Sequence, residues 1–88
     1  MSVEETVRSA LTQYGGLAAD ASTIAVTDDL YRLGLTSHAS VNLMLALEDE
    51  FGIEFTDTML RRSTFESIAT LRAALAELGV TTDATTAG

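Results

Sequence analysis

The sequence predicts an all-α fold: a small four-helix bundle, three helices longer and one short, with a long first loop. Three observations lead there. Apolar residues recur at about 3.6-residue spacing in three separate stretches. The breaks between them fall at glycines and capping residues, and proline is absent. The one alternating run, Ile53-Glu54-Phe55, is too short to argue for a sheet.

In the first stretch Val3, Val7, Leu11 and Tyr14 repeat along one face and stop at Gly15-Gly16. Ser2 is placed to cap it, with Glu4 and Glu5 in the first turn where the helix dipole favours acids. Residues 15–36 then lose periodicity. Leu17, Ile24, Val26, Leu30, Leu33 and Leu35 are scattered through them, which pins a long connection to the core, and Asp28-Asp29-Leu30-Tyr31 starts a short turn of helix. The second helix runs from Ser37 to Phe51 and stops at Gly52. Thr56-Asp57 caps a short helix ending near Arg61-Arg62. The last helix opens at Ser63-Thr64-Phe65-Glu66, where Ser63 and Glu66 have capping-box spacing. Phe65, Ile68, Leu71, Leu75 and Leu78 make its stripe and Gly79 ends it. Residues 1–80 are expected to form one domain and residues 81–88, without periodicity, a disordered tail.

With 88 residues there is room for one modest core and none for a deep cleft with several catalytic loops. The absence of cysteine excludes disulfides and thiolate metal sites. No apolar run approaches the roughly 18 residues of a membrane span, and the first residues are acidic where a signal peptide is basic. A soluble, cytoplasmic monomer is expected, without membrane insertion. The net charge of -8, from 13 acidic residues against 5 basic ones, all arginine, disfavours nucleic acid as a partner. It suits partners with basic docking patches.

Chemistry concentrates at Thr36-Ser37-His38, which holds the only histidine. At about 100° per residue from Ser37, Leu43, Leu47 and Phe51 fall near 240° to 320°, with Met44 near 340°. These form the core stripe. His38, Asn42 and Asp49 lie opposite, and Leu45 sits among them as an apolar residue on a polar face, a pattern that suits partner docking. Val41 and Glu48 border it. His38 projects about 100° away from Ser37, so the pair does not make a nucleophile with its base. No catalytic residues and no metal ligands are assigned. The residues alone leave Ser37 as either a plain helix start or an anchor for a phosphate at a helix N-terminus.

The run "DDLYRLGLTSHASVNLMLALEDEFGIEFTDTML" strongly resembles the centre of acyl and peptidyl carrier proteins. The family pattern is met at Gly34, Ser37, Val41, Leu43, Leu47, Glu48, Glu50 and Phe51, continues through Gly52, Ile53, Phe55 and Asp57, and extends to "STFESIATL". The resemblance implies a non-catalytic four-helix bundle of the acyl-carrier type with 4'-phosphopantetheine on Ser37. A phosphopantetheinyl transferase would install it from coenzyme A, and its thiol would carry acyl or aminoacyl groups. It further implies an acyl- or aminoacyl-loading ligase and downstream transferases or synthases as partners. These would dock over Thr36, His38, Val41, Asn42, Leu45, Glu48 and Asp49. The chain departs from the pattern at Thr36, often aspartate, at His38, usually leucine, and at Ala39 and Asn42, where fatty-acid carriers are acidic. Those departures favour a discrete carrier of a dedicated pathway. Some relatives are loaded with amino acids by stand-alone homologues of aminoacyl-tRNA synthetases, one form of that reading. An unmodified helical adaptor that only docks is the alternative from another class.

Overall fold

A computed structural model describes residues 3–80. The fold is all-α: α1 (Val3–Ala10), α2 (Ser37–Phe51) and α3 (Ile68–Glu77), with a π-helical turn and two 3-10 turns and no strand among the described residues. Ser2 and the tail 81–88 lie outside that range.

α1 places Val3 and Val7 in the core, and Leu11 follows them. Residues Leu11–Gly15 then widen into a π-helical turn. The wider turn shifts the phase of the stripe. Tyr14, expected on the buried face, is therefore 45% exposed, and Gly15 takes the buried place. A Cβ on Gly15 would stand 3.2 Å from the Leu11 side chain, so only glycine closes this end without displacement.

The connection from Gly16 to Thr36 is tied down along its length. Ala18 N–H donates to Leu33 O at 2.8 Å, which sews its beginning to its end. Gly34 lets the chain turn beside that bond: its φ is 115°, a conformation that residues with a side chain rarely adopt. Leu30 N–H donates to Glu66 O at 2.7 Å, and Ala69 N–H to Val26 O at 2.9 Å. The Arg8 guanidinium reaches from α1 to the carbonyls of Ala21 and Ile24, at 2.9 and 2.7 Å, and pairs with Glu4 at 3.0 Å. Ala21, Ile24, Leu30 and Leu35 are buried. Where a short turn of helix is expected, residues 30–34 form a hydrogen-bonded turn without a helix, with Leu33 N–H donating to Asp29 O.

α2 has the expected bounds. Thr36 Oγ1 accepts from Ala39 N–H at 3.0 Å, and Gly52, at φ 64°, closes the far end with its N–H on Glu48 O. Ala39, Leu43 and Leu47 are its buried residues, and Phe51 is only half-buried. The buried arc is thus centred nearer 240° than the sequence stripe placed it.

Two expectations for the second connection are corrected. The short helix is replaced by two 3-10 turns, Asp57–Met59 and Arg62–Phe65. Leu60 (φ -84°, ψ 67°) and Arg61 (φ -139°, ψ 159°) leave the helical region between them, and Thr56 makes no side-chain cap. α3 begins at Ile68, not at Ser63. The Glu66 carbonyl, which a continuous helix would offer to Thr70 N–H, is taken by Leu30 N–H. Ser67, extended at φ -151°, supplies a new cap: its Oγ accepts from Thr70 N–H, and Thr70 Oγ1 accepts from Ser67 N–H. Phe55 and Phe65 stack at 5.7 Å between ring centres and anchor this connection in the core.

Candidate functional site

Three hydroxyls crowd the start of α2, and two of them are committed. Thr36 Oγ1 is the helix cap, and Ser40 Oγ donates to Ser37 O at 2.7 Å. Ser37 Oγ has no hydrogen-bond partner among the described residues, and Ser37 is exposed. The choice left open by the sequence is thereby narrowed. Capping is the work of Thr36, so Ser37 is not needed for it.

Ser37 stands on the edge of a groove of about 420 Å³ between α2 and the second connection. The apolar Val41, Met44, Leu60 and Phe65 line it together with Tyr31, Arg61 and Arg62. The Arg62 guanidinium lies 3.9 Å from the centre of the Tyr31 ring, a cation–π stack that fixes its direction. Of the five arginines, Arg8 and Arg72 pair with Glu4. Arg61 and Arg62 have no carboxylate within ion-pair distance among the described residues. In the sequence these two mark only a helix end. The 100° wheel does place Met44 and Val41 on either side of Ser37, but nothing local shows that Tyr31 folds back onto Arg62.

The residues expected to dock partners divide. His38 is exposed, and Val41 and Leu45 are 51% and 53% exposed, so these three share an open face with the half-buried Asn42 and the exposed Thr36. Glu48 also serves the fold, since its Oε2 accepts from Phe55 N–H at 2.8 Å and ties α2 to the chain beyond Gly52. Asp49 lies with Glu50 along a separate polar cleft against Ser9 and Gln13, on the α1 side.

Comparison with known proteins fits this arrangement. Residues 5–75 match the family model described as the phosphopantetheine attachment site. An aminoacyl carrier protein of Agrobacterium fabrum is 49% identical over 63 residues, which are 72% of this chain and 76% of the relative. Similar chains occur in several crystal structures, two of which follow. One is an engineered Bradyrhizobium japonicum glycine:[carrier protein] ligase complexed with a carrier protein from Agrobacterium tumefaciens and AMP. The match there has a TM-score of 0.81 at 42% identity and covers 84% of this chain and 99% of that one. The other is the Bradyrhizobium japonicum ligase with its cognate carrier protein and an analogue of glycyl adenylate. Its TM-score is 0.66 at 32% identity, with 85% of this chain and 92% of that one covered. With the family model spanning most of its length, and this fold beneath it, the chain belongs to the phosphopantetheine-bearing carrier proteins.

Proposed function

We propose that Ser37 is the attachment residue for 4'-phosphopantetheine and that this carrier ferries aminoacyl thioesters within a dedicated pathway, loaded by a stand-alone ligase related to aminoacyl-tRNA synthetases. The observation that carries the site is the free Ser37 hydroxyl, exposed between two hydroxyls that are already bonded. A phosphodiester needs such a group. In the attachment the serine oxygen bonds to the phosphorus that bears pantetheine, the bond to the adenosine bisphosphate half of coenzyme A breaks, and the serine proton passes to a base of the transferase. When bound, the group supplies a thiol on a long arm, which raises the concentration of a carried acyl or aminoacyl group at a docked enzyme.

The residues of the chain do the rest by position. Thr36 fixes the first turn of α2, so Ser37 is presented at a rigid helix end. Val41 and Leu45 offer apolar anchors to a partner, with His38 and Asn42 beside them, and the acidic charge of the whole chain speeds encounter with basic surfaces. The amino-acid cargo is supported by the likeness to the Agrobacterium aminoacyl carrier and to the carriers found with glycine ligases. The carrier unit is placed within residues 1–80, and a cytoplasmic setting agrees with the supply of coenzyme A.

Incubation with coenzyme A and a broad-specificity phosphopantetheinyl transferase should add one phosphopantetheine by intact mass, and Ser37→Ala should add none. Full modification of Ser37→Ala would show that another residue is the anchor. Failure of the wild type with every transferase tested, with partner binding intact, would instead indicate the unmodified adaptor. Mass spectrometry of the protein from its own cell identifies the cargo: an aminoacyl increment supports this reading, and a fatty acyl or ketide increment replaces it.

A further inference from the structure

The charges of this chain are unevenly placed. Acidic residues outnumber basic ones by 13 to 5, yet Arg61 and Arg62 have no carboxylate within ion-pair distance among the described residues. Both are exposed, and Leu60 just before them is 48% exposed. Arg62 lies 3.9 Å from the centre of the Tyr31 ring. A guanidinium stacked by its face keeps its in-plane N–H donors free for an anion, and the stack reduces the side-chain freedom that binding would cost. The acids Asp49 and Glu50 lie elsewhere, on the α1 side of α2. Ser37 and both arginines border the same groove, so an enzyme that reaches Ser37 also comes close to the pair.

We propose that Arg61 and Arg62 are a docking point for a carboxylate-bearing patch on the loading ligase, and that they set the orientation in which the carrier approaches it. This inference rests on the reading of the chain as an aminoacyl carrier with its arm on Ser37. The occupant follows from charge. A wholly basic ligase surface would bring its cations against two unpaired guanidiniums beside the arm, and like charges across an interface repel strongly. An acidic patch at that place turns the repulsion into attraction, and the planar fork of arginine matches a carboxylate through two parallel hydrogen bonds. The exposed Leu60 adds an apolar contact next to the charged pair. With acids on the α1 side of α2 and cations on the second connection, the carrier offers two contact points of opposite sign. One orientation satisfies both, and a reversed one sets like charges together. Nucleic acid, another ligand of paired arginines, is disfavoured by the net charge of -8.

The test uses full-length holo protein, checked by intact mass, as the substrate of a stand-alone ligase selected because it charges the wild type with an amino acid. The double variant Arg61→Glu/Arg62→Glu makes the carrier more acidic. General attraction between an acidic carrier and a basic ligase predicts that its KM falls. The docking point predicts the opposite sign: KM for the carrier rises about 10-fold or more, because carboxylates now face carboxylates, while kcat stays near the wild-type value. Arg62→Lys keeps the charge but loses the fork and the stack, so its KM should rise by about 2- to 5-fold, the range of one exposed ion pair. Both side chains are exposed, so the variants keep the fold, which circular dichroism checks. If the wild type is charged and the double variant has an equal or lower KM, the proposal is overturned and the aminoacyl reading stands. A loss confined to kcat also overturns it, because the pair would then act on the reacting end and not on docking. Movement of the Arg62 Nε–H signal with free coenzyme A, and none with ligase, assigns the pair to a small anion instead. If no ligase charges the wild type, the aminoacyl reading and this inference fall together.

Discussion

The two connections that flank α2 are built in opposite ways. The first, from Gly16 to Thr36, is longer and carries no regular helix, yet it buries Ala21, Ile24, Leu30 and Leu35 and exchanges backbone bonds with Glu66 and Ala69. The second, from Gly52 to Ser67, has two 3-10 turns, yet between Phe55 and Phe65 it is half-buried only at Met59 and Thr64 and leaves Leu60, Arg61 and Arg62 exposed. Regular local structure and tight anchoring are therefore separate properties here. What anchors a connection is the apolar surface it buries and the backbone groups it satisfies. The first connection holds Ser37 in place, and the second supplies an open wall beside it.

The sharpest way to break that contrast is a matched pair of truncations. Leu30 is fully buried and Leu60 is 48% exposed. Leu30→Ala should cost about 2–5 kcal/mol, the range for a buried leucine, while Leu60→Ala should stay within about 0.5 kcal/mol. Urea unfolding measures both. Equal costs would mean that the two connections are anchored alike.

A smaller effect is expected at Gly34, where the first connection is sewn to itself. At φ 115° a side chain is strained, although its Cβ would make only ordinary contact with the backbone of Ala18 and Gly16 at 3.4 and 3.5 Å. Gly34→Ala should cost about 1–3 kcal/mol and shift the amide signals of Thr36 and Ser37, because the stitch lies just before the cap of α2. Stability loss without those shifts would show that the stitch does not set the position of Ser37.

On the other side of α2, Glu48 is the tie between the helix and the second connection. Glu48→Ala leaves Phe55 N–H without its acceptor and should cost about 1 kcal/mol, typical of one hydrogen bond. Glu48→Gln keeps an acceptor oxygen and should recover most of that loss. If both variants match the wild type, water replaces the carboxylate and the second connection is looser still.

How much of the molecule is legible in its sequence follows the same division between local and distant causes. α2 is readable to the residue because both its ends are set by neighbours: Thr36 caps Ala39 N–H, and Gly52 takes the left-handed turn. Ser37 stands out through the family pattern around it. The start of α3 is misplaced by local spacing, because Ser63 and Glu66 are set for a box while a bond from Leu30, far away in sequence, takes the Glu66 carbonyl and hands the cap to Ser67. A fixed 3.6-residue period puts Tyr14 in the core because it has no place for a π-helical turn. The stacking of Arg62 on Tyr31 is invisible for the same reason as the α3 start: it joins the two connections across the fold.

The smallest expected effect concerns acid, again in the first connection. Asp20 Oδ1 accepts from Ser22 N–H at 2.9 Å and from the Ser22 hydroxyl at 2.8 Å. These bonds, the backbone one foremost, hold the Asp20 carboxyl below its ordinary value of 3.8. A carboxyl lowered in the folded state is more often ionised there than in the unfolded chain, so it favours folding above the unfolded value. That contribution fades as pH falls through the lower folded value. Asp20 is fully exposed, so the readout is its own titration and not the melting temperature. Carboxyl carbon shifts followed by NMR should place Asp20 below the ordinary aspartate value. Ser22→Ala removes the hydroxyl donor but leaves the stronger backbone one, so the titration should move up only part of the way. A full return to the ordinary value would mean that the turn opens when the hydroxyl is lost. The first connection would then be held at this point by side chains, unlike the backbone bonds that fix it at Leu30 and Ala18.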